Sequence, residues 1–453
     1  MTLDELCARR VAIWGAGAEG LALGRLLAGR GVTPVFVDDR PDRVAGAVAA
    51  ELGPDVRVVA PGGARWATVD VVVRSPGVSR YRPELAAASA AGAVVTTAMA
   101  VWLEDVRDAT VLAVTGTKGK STTASLAAAV LEREGLSVAL VGNIGSPVTD
   151  CYGAGPVDAY VVEVSSYQAA DVTVSPRVCV LTSLAPDHLD WHGGEEAYYR
   201  DKLRLITAGP PGALAVSAAS PEAVARTRHH PHRLLYGPEG RVRLEADGTV
   251  TVDGVPTVDS RRLRVPGEHN RFNLCGAVAG ALLLLGRAPS PEAVAATVDG
   301  YTGLPSRCHT VGERDGLEFV DDALASNPFA TAASLGAFPD RELTLIVGGA
   351  DRGTDPGELL RALGARRPLP RVVVLGGSSD RASARLSAPD APVPVTVAAD
   401  MAEAVAAAVA VTPSGGVVLF SPSAPTPGPD AGYRERSREF VSAAGLGETA
   451  GSQ

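Results

Sequence analysis

The sequence has 453 residues. Because a single hydrophobic core does not usually hold so many residues, the length predicts about three domains. Its formal net charge of −9, with no basic block, argues against nucleic acid as a partner. No run reaches the roughly 18 consecutive apolar residues of a membrane span. Residues 1–10 also lack the apolar segment of a signal peptide, so we expect a cytoplasmic protein without membrane insertion.

The chain begins with a strand, a glycine-rich turn, a helix and a second strand. The turn Gly15–Gly20 has the pattern G-x-G-x-x-G, and the second strand, Pro34–Val37, ends at Asp38. This pattern is typical of dinucleotide binding, but a Rossmann-like domain that holds another nucleotide diphosphate also has it. A third strand, Val69–Val73, leads into the turn Arg74–Gly77, at the sheet edge where ligands bind in such folds.

A second glycine turn indicates a phosphate site. The apolar strand Val111–Thr115 is followed by the turn Gly116–Gly119, then by Lys120, Ser121 and an alanine-rich helix. Backbone N–H groups of the turn and the positive end of the helix can face phosphate oxygens, while the lysine adds charge and the serine can bind Mg²⁺. Because Val114 occupies the first glycine position of the general pattern, this is a shorter form, and its expected ligand is a nucleoside triphosphate.

Lysine is scarce in this sequence. Of its 42 basic residues only Lys118, Lys120 and Lys202 are lysines, and the others are arginines. An ammonium group is a compact donor, and a nucleophile when deprotonated, whereas a guanidinium group is neither. We therefore expect all three lysines to lie in the active site.

Two strands that follow the phosphate turn end in polar residues suited to a metal ion. Glu163 is the only charge in the apolar strand Ala159–Val164, and His188 follows the strand Val178–Thr182. A buried carboxylate needs a partner, which in a nucleotide fold is Mg²⁺, although a structural salt bridge is the alternative. His188 is expected as a second ligand, or alternatively as a capped core histidine, whereas His192 is expected to be structural.

The rest of the chain predicts β-hairpins, a long helix and another doubly wound sheet. Hairpins are expected within Arg241–Val265, followed by a helix over Leu274–Leu285. Asn270 and Asn273 lie one turn apart at its start and can face one ligand. The later strands each end in small or polar residues; they are Leu317–Val320, Leu343–Val347, Arg371–Leu375 and Gly416–Phe420.

Taken together, these motifs resemble the muramyl (Mur) ligases of peptidoglycan synthesis, in particular the glutamate-adding members, over essentially the whole chain. The motifs that carry the resemblance are Gly116–Thr122, Gly142–Gly145, Glu163–Gln168, Asp187–Asp190, His269–Asn270 with Asn273, and Leu304–Arg307. The resemblance implies an α/β fold of three domains. Residues 1–108 would form a Rossmann-like domain for the UDP substrate, residues 109–289 a P-loop ATPase domain, and residues 290–453 a Rossmann-like domain for glutamate.

The reaction implied by the resemblance is ATP-driven amide formation between UDP-N-acetylmuramoyl-L-alanine and glutamate through an acyl phosphate. Two Mg²⁺ ions would be held by Ser121, Glu163, His188 and Lys202, the last as a carbamate formed with CO₂, which arginine cannot form. Lys120, Asn143 and His188 would act on the acyl phosphate. Both partners are small molecules, and we expect a monomer.

The resemblance also implies two nucleotide sites. For ATP, the residues are Gly116, Thr117, Lys118, Gly119, Lys120, Ser121, Thr122, Asn270, Asn273, Arg307 and Asp322. For the uridine diphosphate, they are Gly15, Ala18, Glu19, Asp39, Arg40, Ser75, Pro76 and Gly77, so the first glycine motif need not bind NAD.

The glutamate site departs from the pattern of the D-glutamate-adding enzymes. Those enzymes have a lysine where this chain has Leu324, and their second carboxylate-binding lysine is matched by Arg352. The expected glutamate residues are Ser326, Arg352, Thr426 and Tyr433. The loss of one positive charge suggests a different pose of the amino acid. A set of motifs resembles the L-glutamate-adding enzymes, with D-glutamate as the alternative; they are Ile13–Gly17, Thr117–Lys120, Gly303–Pro305 with Gly312–Gly316, and Ala350–Gly353. A folylpolyglutamate synthetase, which lacks the first domain, and a non-catalytic relative, which would have lost Lys120 or Lys202, are the rival interpretations.

Overall fold

The computed structural model describes residues 1–265, 267–351, 353–427 and 432–447. In this part of the chain the fold is α/β, with three sheets that are mostly parallel. The chain divides into two compact units: the first holds Met1–Arg261 and Arg271–Thr297, and the second holds Arg262–Asn270 and the described residues from Val298 onward.

The first sheet lies in the first unit and is wholly parallel, in the order β3-β2-β1-β4-β5. Its strands are β1 (Val11–Trp14), β2 (Val35–Val37), β3 (Val58–Val59), β4 (Val71–Arg74) and β5 (Val94–Thr96). Its helices are α1 (Leu3–Cys7), α2 (Ala18–Gly29), α3 (Pro41–Leu52), α4 (Pro83–Ala90) and α5 (Ala98–Asp105). The central strands β1 and β4 are buried along their whole length, as expected for apolar strands in a sheet covered on both faces, although β4 ends in the buried Arg74. The strand order reverses between them, which opens a crevice at their carboxyl ends.

The second sheet, also in the first unit, runs β14-β13-β12-β11-β10-β9-β6-β8-β7 and is antiparallel only from β12 to β14. Its strands are β6 (Val111–Thr115), β7 (Val138–Gly142), β8 (Ala159–Glu163), β9 (Val178–Leu181), β10 (Ala213–Ser217), β11 (Arg233–Gly237), β12 (Val242–Leu244), β13 (Thr249–Val252) and β14 (Val255–Asp259). The helices that follow these strands are α6 (Lys120–Arg133), α7 (Ser166–Ala169), α8 (Leu189–His192), α9 (Glu195–Thr207), α10 (Pro221–Arg226), α11 (Glu268–Leu285) and α12 (Pro291–Gly300). Since β6 lies between β8 and β9, the residues that follow these three strands meet at one edge.

The third sheet lies in the second unit, in the order β15-β16-β20-β17-β18-β19, and only β15 is antiparallel to its neighbour. Its strands are β15 (His309–Arg314), β16 (Leu317–Asp321), β17 (Leu343–Val347), β18 (Arg371–Leu375), β19 (Val395–Ala398) and β20 (Val417–Phe420). Its helices are α13 (Pro328–Leu335), α14 (Gly357–Ala365), α15 (Arg381–Leu386), α16 (Met401–Val411) and α17 (Tyr433–Ala443). Within the described ranges, no helix is both long and apolar enough to cross a membrane.

Most predicted strands are confirmed within a few residues, and two local predictions need correction. The helix predicted over Leu274–Leu285 begins at Glu268, so it includes both asparagines. Strand β15 was not predicted, because a bulge between Thr310 and Gly312 interrupts its alternation.

Candidate active site

The phosphate turn Gly116–Gly119 connects β6 to α6 and needs its two glycines. The φ angle is +150° at Gly116 and +85° at Gly119. A Cβ atom at Gly116 would lie 2.0 Å from Thr182 Oγ1, and one at Gly119 would lie 2.3 Å from Asn273 Oδ1. Because neither distance is sterically possible, these positions exclude a side chain, and the turn approaches both β9 and α11 closely.

The turn is braced by Ser183, which follows β9. The backbone N–H of Thr117 donates to the Ser183 carbonyl, and that of Lys118 donates to Ser183 Oγ, both at 2.9 Å. The expectation that the N–H groups throughout the turn face phosphate oxygens is therefore wrong for these two residues. The backbone N–H groups that remain for a phosphate are those at the amino end of α6, whose first residue is Lys120.

The lysines near the turn differ in environment. Lys120 Nζ donates to the Thr117 carbonyl at 3.1 Å, and the neighbouring Ser121 is buried. Lys118 is largely exposed and pairs with Asp187 Oδ2 at 3.5 Å. The structure thus gives Lys118 an ion pair at the edge of the turn, which the sequence did not predict. Thr122 follows Ser121 in the first turn of α6 and is partly buried.

Lys202 is the most enclosed of the three lysines. It lies on α9, is only 2 % exposed, and donates from Nζ to the carbonyl of Gly116 at 2.8 Å. Burial lowers the pKa of Lys202 well below its ordinary value, and the nearby positive charge of Lys120 lowers that pKa further. Both effects favour the neutral, nucleophilic form of this amine, which lies directly beside the phosphate turn.

Glu163, at the end of β8, is fully buried and incompletely satisfied. Its Oε1 accepts from Asn143 Nδ2 at 2.7 Å, whereas its Oε2 is buried without a hydrogen-bond partner. A buried carboxylate oxygen in this state fits a cation ligand. In the part of the chain that the structure describes, no three His, Cys, Asp or Glu side chains converge as a metal site. A metal set at this edge would therefore need the Ser121 hydroxyl and a modified lysine as well.

His188 precedes α8 in a left-handed backbone conformation, with φ at +52°. Its side chain is half exposed, and its ring centre lies 5.0 Å from that of Tyr167. Partial burial lowers the pKa of His188, the three lysines lower it further, and Asp187 opposes them. A neutral imidazole is the form that can bind a metal ion or accept a hydrogen bond.

The first glycine turn is closed by residues at the ends of β2 and β4. Gly15 has φ at +103°, and a Cβ atom there would lie 2.8 Å from Ser75 Oγ, which donates to the Gly15 carbonyl at 3.0 Å. Asp38 accepts from the N–H of Ala16 at 3.2 Å and from that of Arg40 at 2.9 Å. The crevice at the switch between β1 and β4 therefore has defined walls, with Asp38 as a member that the predicted site residues left out.

The other predicted residues of this crevice lie around its rim. Ala18 begins α2, and burial raises the pKa of the neighbouring Glu19 to about 7, opposed by a Gln168 hydrogen bond and by Arg74. Asp39 is exposed and forms an ion pair with Arg82 at 2.6 Å. The Pro76 carbonyl accepts from the indole N–H of Trp191 at 3.1 Å, and Gly77 and Arg40 are exposed.

The predicted nucleotide residues fall in both compact units. In the first unit, Asn273 Oδ1 accepts from Thr123 Oγ1 at 3.3 Å beside the phosphate turn. In the second, Asn270 is buried, Arg307 is exposed, and Asp322 is buried with three donors on its carboxylate. Those donors are the Cys308 N–H at 3.0 Å, Ser334 Oγ at 2.6 Å and Ser421 Oγ at 2.7 Å. Burial raises the pKa of Asp322 to about 6.

The predicted glutamate residues lie at element ends in the second unit. Ser326 is exposed shortly before α13, Thr426 is partly buried after β20, and Tyr433 is the first residue of α17. Arg352 lies outside the described residues. Ser326 follows the carboxyl end of β16, and Thr426 follows that of β20. The carboxyl ends of parallel strands are where ligands bind in such sheets.

A buried network next to Lys202 was missed by the sequence interpretation. Asp201 Oδ2 lies 2.8 Å from His192 Nδ1, and His192 Nε2 lies 3.0 Å from Ser166 Oγ. The aspartate also accepts from the hydroxyl of Tyr81. In the sequence, an aspartate between two basic residues of a helix resembles a solvated charge, and the only signal was that Ser166 belongs to the Glu163–Gln168 motif.

Comparison with protein-family models gives two matches. The model described as "Mur ligase middle domain" matches residues 114–281, and the model described as "Mur ligase, glutamate ligase domain" matches residues 306–424. The first covers the phosphate turn, Glu163 and Lys202, and the second covers most of the third sheet.

Several curated proteins are similar over their full length. Relatives from a Micromonospora strain and from Salinispora tropica are 40% and 39% identical, over 100% of this chain and 99% and 100% of theirs. A relative from Xanthomonas axonopodis is 37% identical over 98% of this chain and 97% of its own. Each is named UDP-N-acetylmuramoyl-L-alanine–L-glutamate ligase.

Solved structures agree on the fold. The UDP-N-acetylmuramate–alanine ligase of Thermotoga maritima aligns with a TM-score of 0.60 at 18% identity, over 96% of this chain and 99% of its own. The folylpolyglutamate synthase of Mycobacterium tuberculosis, solved with ADP, has a TM-score of 0.59 at 16% identity, over 78% of this chain and 94% of its own. From both matched domain models and the full-length relatives, we conclude that the chain belongs to the Mur ligase family.

Proposed function

We propose that this protein is the ATP-dependent ligase that joins L-glutamate to UDP-N-acetylmuramoyl-L-alanine during synthesis of the peptidoglycan precursor. The observation that carries the proposal is the contact of the buried Lys202 amine with the Gly116 carbonyl at the phosphate turn. It is supported by full-length relatives of 37–40% identity that are named as L-glutamate ligases. The reaction is expected in the cytoplasm, where ATP is available, and the enzyme is expected to be a monomer.

We assign the three substrates to three domains. Residues 1–108 would bind the uridine diphosphate, with the Gly15 turn and the Ser75–Gly77 turn on either side of the crevice. Residues 109–289 would bind ATP at the Gly116–Gly119 turn. Residues 290–453 would bind glutamate through Ser326, Arg352, Thr426 and Tyr433.

The site suits a divalent cation. Glu163 Oε2 is buried without a partner, and the Ser121 hydroxyl and His188 ring are further donors from the same unit. Mg²⁺ bound there would offset the negative charge of the phosphates and the substrate carboxylate, which otherwise repel each other. Asn143 holds Glu163 Oε1 and so fixes the direction in which the other oxygen points.

Lys202 is suited to carbamate formation. Its nitrogen lone pair would attack the carbon of CO₂, and the nitrogen would lose one proton, which converts a cation into an anionic oxygen donor. The reaction needs a neutral amine, and burial favours that form at Lys202. A buried anion formed from a lysine would add the oxygen ligand that the described acidic residues do not supply.

The ligation itself would proceed in two steps, phosphoryl transfer and then amide formation. A carboxylate oxygen of the UDP substrate attacks the γ-phosphorus of ATP, the bond to the ADP oxygen breaks, and an acyl phosphate forms. The glutamate amine then attacks the acyl carbon, phosphate leaves, and the nitrogen loses a proton. Lys120 would hold the transferring phosphoryl group by its charge, and Asn143 and His188 would contact the acyl phosphate.

Phosphate release from ATP, measured with UDP-N-acetylmuramoyl-L-alanine and with L- or D-glutamate in separate reactions, tests the proposal. We expect release only when the UDP substrate and L-glutamate are both present. Preference for D-glutamate would overturn the stereochemical assignment alone. Nucleotide binding without release with either isomer would instead indicate a non-catalytic relative.

A further inference from the structure

Helix α9 presents two adjacent buried side chains, Asp201 and Lys202, to different neighbours. Each is only 2 % exposed. Successive side chains of an α-helix point about 100° apart, so these two side chains face different neighbours. Lys202 contacts the Gly116 carbonyl, and Asp201 turns toward the first sheet and α8. Rotation of α9 about its axis is therefore restrained at two consecutive positions.

The Asp201 carboxylate is held by a phenol hydroxyl and an imidazole nitrogen. The hydroxyl of Tyr81 lies 3.0 Å from Oδ1 and 2.9 Å from Oδ2, and His192 Nδ1 lies 2.8 Å from Oδ2. The guanidinium groups of Arg80 and Arg200 are farther away, at 3.9 Å and 3.8 Å. Tyr81 and His192 thus lie closer to this carboxylate than either guanidinium group and fix its position.

The histidine extends the contact to the strand that bears Glu163. If the ring proton is assigned to Nδ1, which faces the carboxylate, then Nε2 accepts from Ser166 Oγ at 3.0 Å. Ser166 is the first residue of α7 and lies three residues after Glu163. A continuous hydrogen-bonded chain therefore links the helix of Lys202 to the segment of Glu163.

The same network reaches the first sheet. Tyr81 lies in the loop after β4, and its residue is 45% exposed although its hydroxyl is bonded to Asp201. From the same loop, Ser79 Oγ donates to the Trp191 carbonyl at 2.6 Å, and the Trp191 indole donates to the Pro76 carbonyl at 3.1 Å. The loop assigned to the UDP substrate is thus bonded to α8 and α9.

We propose that Asp201, held by Tyr81 and His192, is a positioning residue that sets the Lys202 amine and Glu163 for carbamate formation and Mg²⁺ binding. The inference rests on the proposed function. Removing one member of a buried polar network leaves its partners unsatisfied and costs stability in any case, so a positioning role must show itself at Lys202 and Glu163 instead. Here the hydrogen-bonded chain joins α9, which carries Lys202, to the start of α7, three residues after Glu163, so it fixes the two segments that carry proposed metal ligands. Groups that orient metal ligands usually affect metal affinity and turnover.

The test uses Asp201→Asn, Tyr81→Phe and His192→Asn in the full-length enzyme. Asp253→Asn is the matched control, because Asp253 lies in the β13–β14 turn and pairs with Arg241 at 2.7 Å. The ¹³C carbamate signal after incubation with ¹³C-bicarbonate, the Mg²⁺ dependence of phosphate release, kcat, the KM values and the melting temperature are measured for each protein.

We expect Asp201→Asn to weaken the carbamate signal, to raise the Mg²⁺ concentration needed for half activity, and to lower kcat by about 10- to 100-fold. Tyr81→Phe and His192→Asn should shift the same quantities in the same direction by less. The KM for glutamate should stay near that of the wild type, and Asp253→Asn should match the wild type throughout.

An unchanged carbamate signal and Mg²⁺ dependence in folded Asp201→Asn would overturn the inference. If that variant does not fold, Tyr81→Phe decides, since it removes one hydroxyl from a half-exposed ring. A wild type without phosphate release would count against the proposed function, and the carbamate signal and Mg²⁺ binding of the same variants would still test the positioning role.

Discussion

The amine of Lys202 lies 2.8 Å from the carbonyl oxygen of Gly116, so α9 is tied to the first residue of the phosphate turn. This bond joins two segments that are 86 residues apart in the sequence. Burial and the charge of Lys120 both lower the pKa of Lys202, and the opposing effects of Asp187 and Glu163 are smaller, so the site disfavours a permanent cation at this position.

Replacing Lys202 with arginine should abolish the ligase reaction. Arginine keeps a positive charge but cannot form a carbamate, and its larger head does not fit a fully enclosed site. We expect kcat to fall by roughly 100-fold or more, as for loss of a metal ligand, without rescue by bicarbonate. Arg133→Lys, at the exposed end of α6, should leave kcat unchanged. Substantial activity of Lys202→Arg would rule out the carbamate.

Replacing Glu163 with glutamine should remove the response of the protein to Mg²⁺. The amide keeps the size of the side chain and can still meet Asn143, but it removes the charge that the unpartnered oxygen would offer a cation. A ligand present at 100 times its Kd stabilises the folded state by about 2.7 kcal/mol. We therefore expect Mg²⁺ with ADP to raise the melting temperature of the wild type and of the surface control Glu51→Gln, but not of Glu163→Gln. An equal rise in all three would contradict the assignment.

The site residues that could be predicted from the sequence share one property: each is a residue type that is unusual where it occurs. Glu163 is a single charge in an apolar strand, and Lys202 is one of only three lysines in the chain. Both are buried in the structure, as those unusual positions indicated. The strands were predictable for a related reason, because continuous apolar runs such as Val71–Val73 favour a buried parallel strand.

The residues that could not be predicted owe their surroundings to tertiary contacts. Asp201 lies between Arg200 and Lys202, and Arg74 lies at the end of a strand beside the polar turn that begins at Ser75, so neither position indicates a buried partner. The partner of Arg74, Asp171, is 97 residues away, and that of His192 is nine residues away but on another helix. Such pairs are fixed by the packing of elements, which hydrophobic periodicity does not encode.

Replacing Arg74 with methionine should destabilise the first unit strongly. The Arg74 side chain is fully buried, and its Nε and Nη2 lie 2.6 Å and 2.5 Å from Asp171 Oδ2. Removing only the cation leaves a buried carboxylate with the more distant Arg80, which typically costs about 3–5 kcal/mol. The double variant Arg74→Met with Asp171→Leu should recover part of that loss in the midpoint of urea unfolding. If the double variant is less stable than Arg74→Met, the buried charge is not the cause.

Replacing Asp322 with asparagine should change how stability depends on pH. Burial raises the pKa of Asp322 from 3.8 to about 6 in the folded protein, so folding favours the protonated form. The stability that this group contributes is complete below pH 4 and is lost as the pH rises through about 6, by an amount on the order of 2–3 kcal/mol. Asparagine does not titrate there, so the difference in melting temperature between the variant and the wild type should increase, in favour of the variant, from pH 4 to 6 and stay level above pH 7. Asn327, which caps α13 in the same unit, provides the control, because neither asparagine nor serine titrates in this range and Asn327→Ser should lack this rise. A difference that is constant across the whole range would show that the Asp322 carboxylate is equally ionised in the folded and unfolded chains, and that Ser334 and Ser421 fully offset its burial.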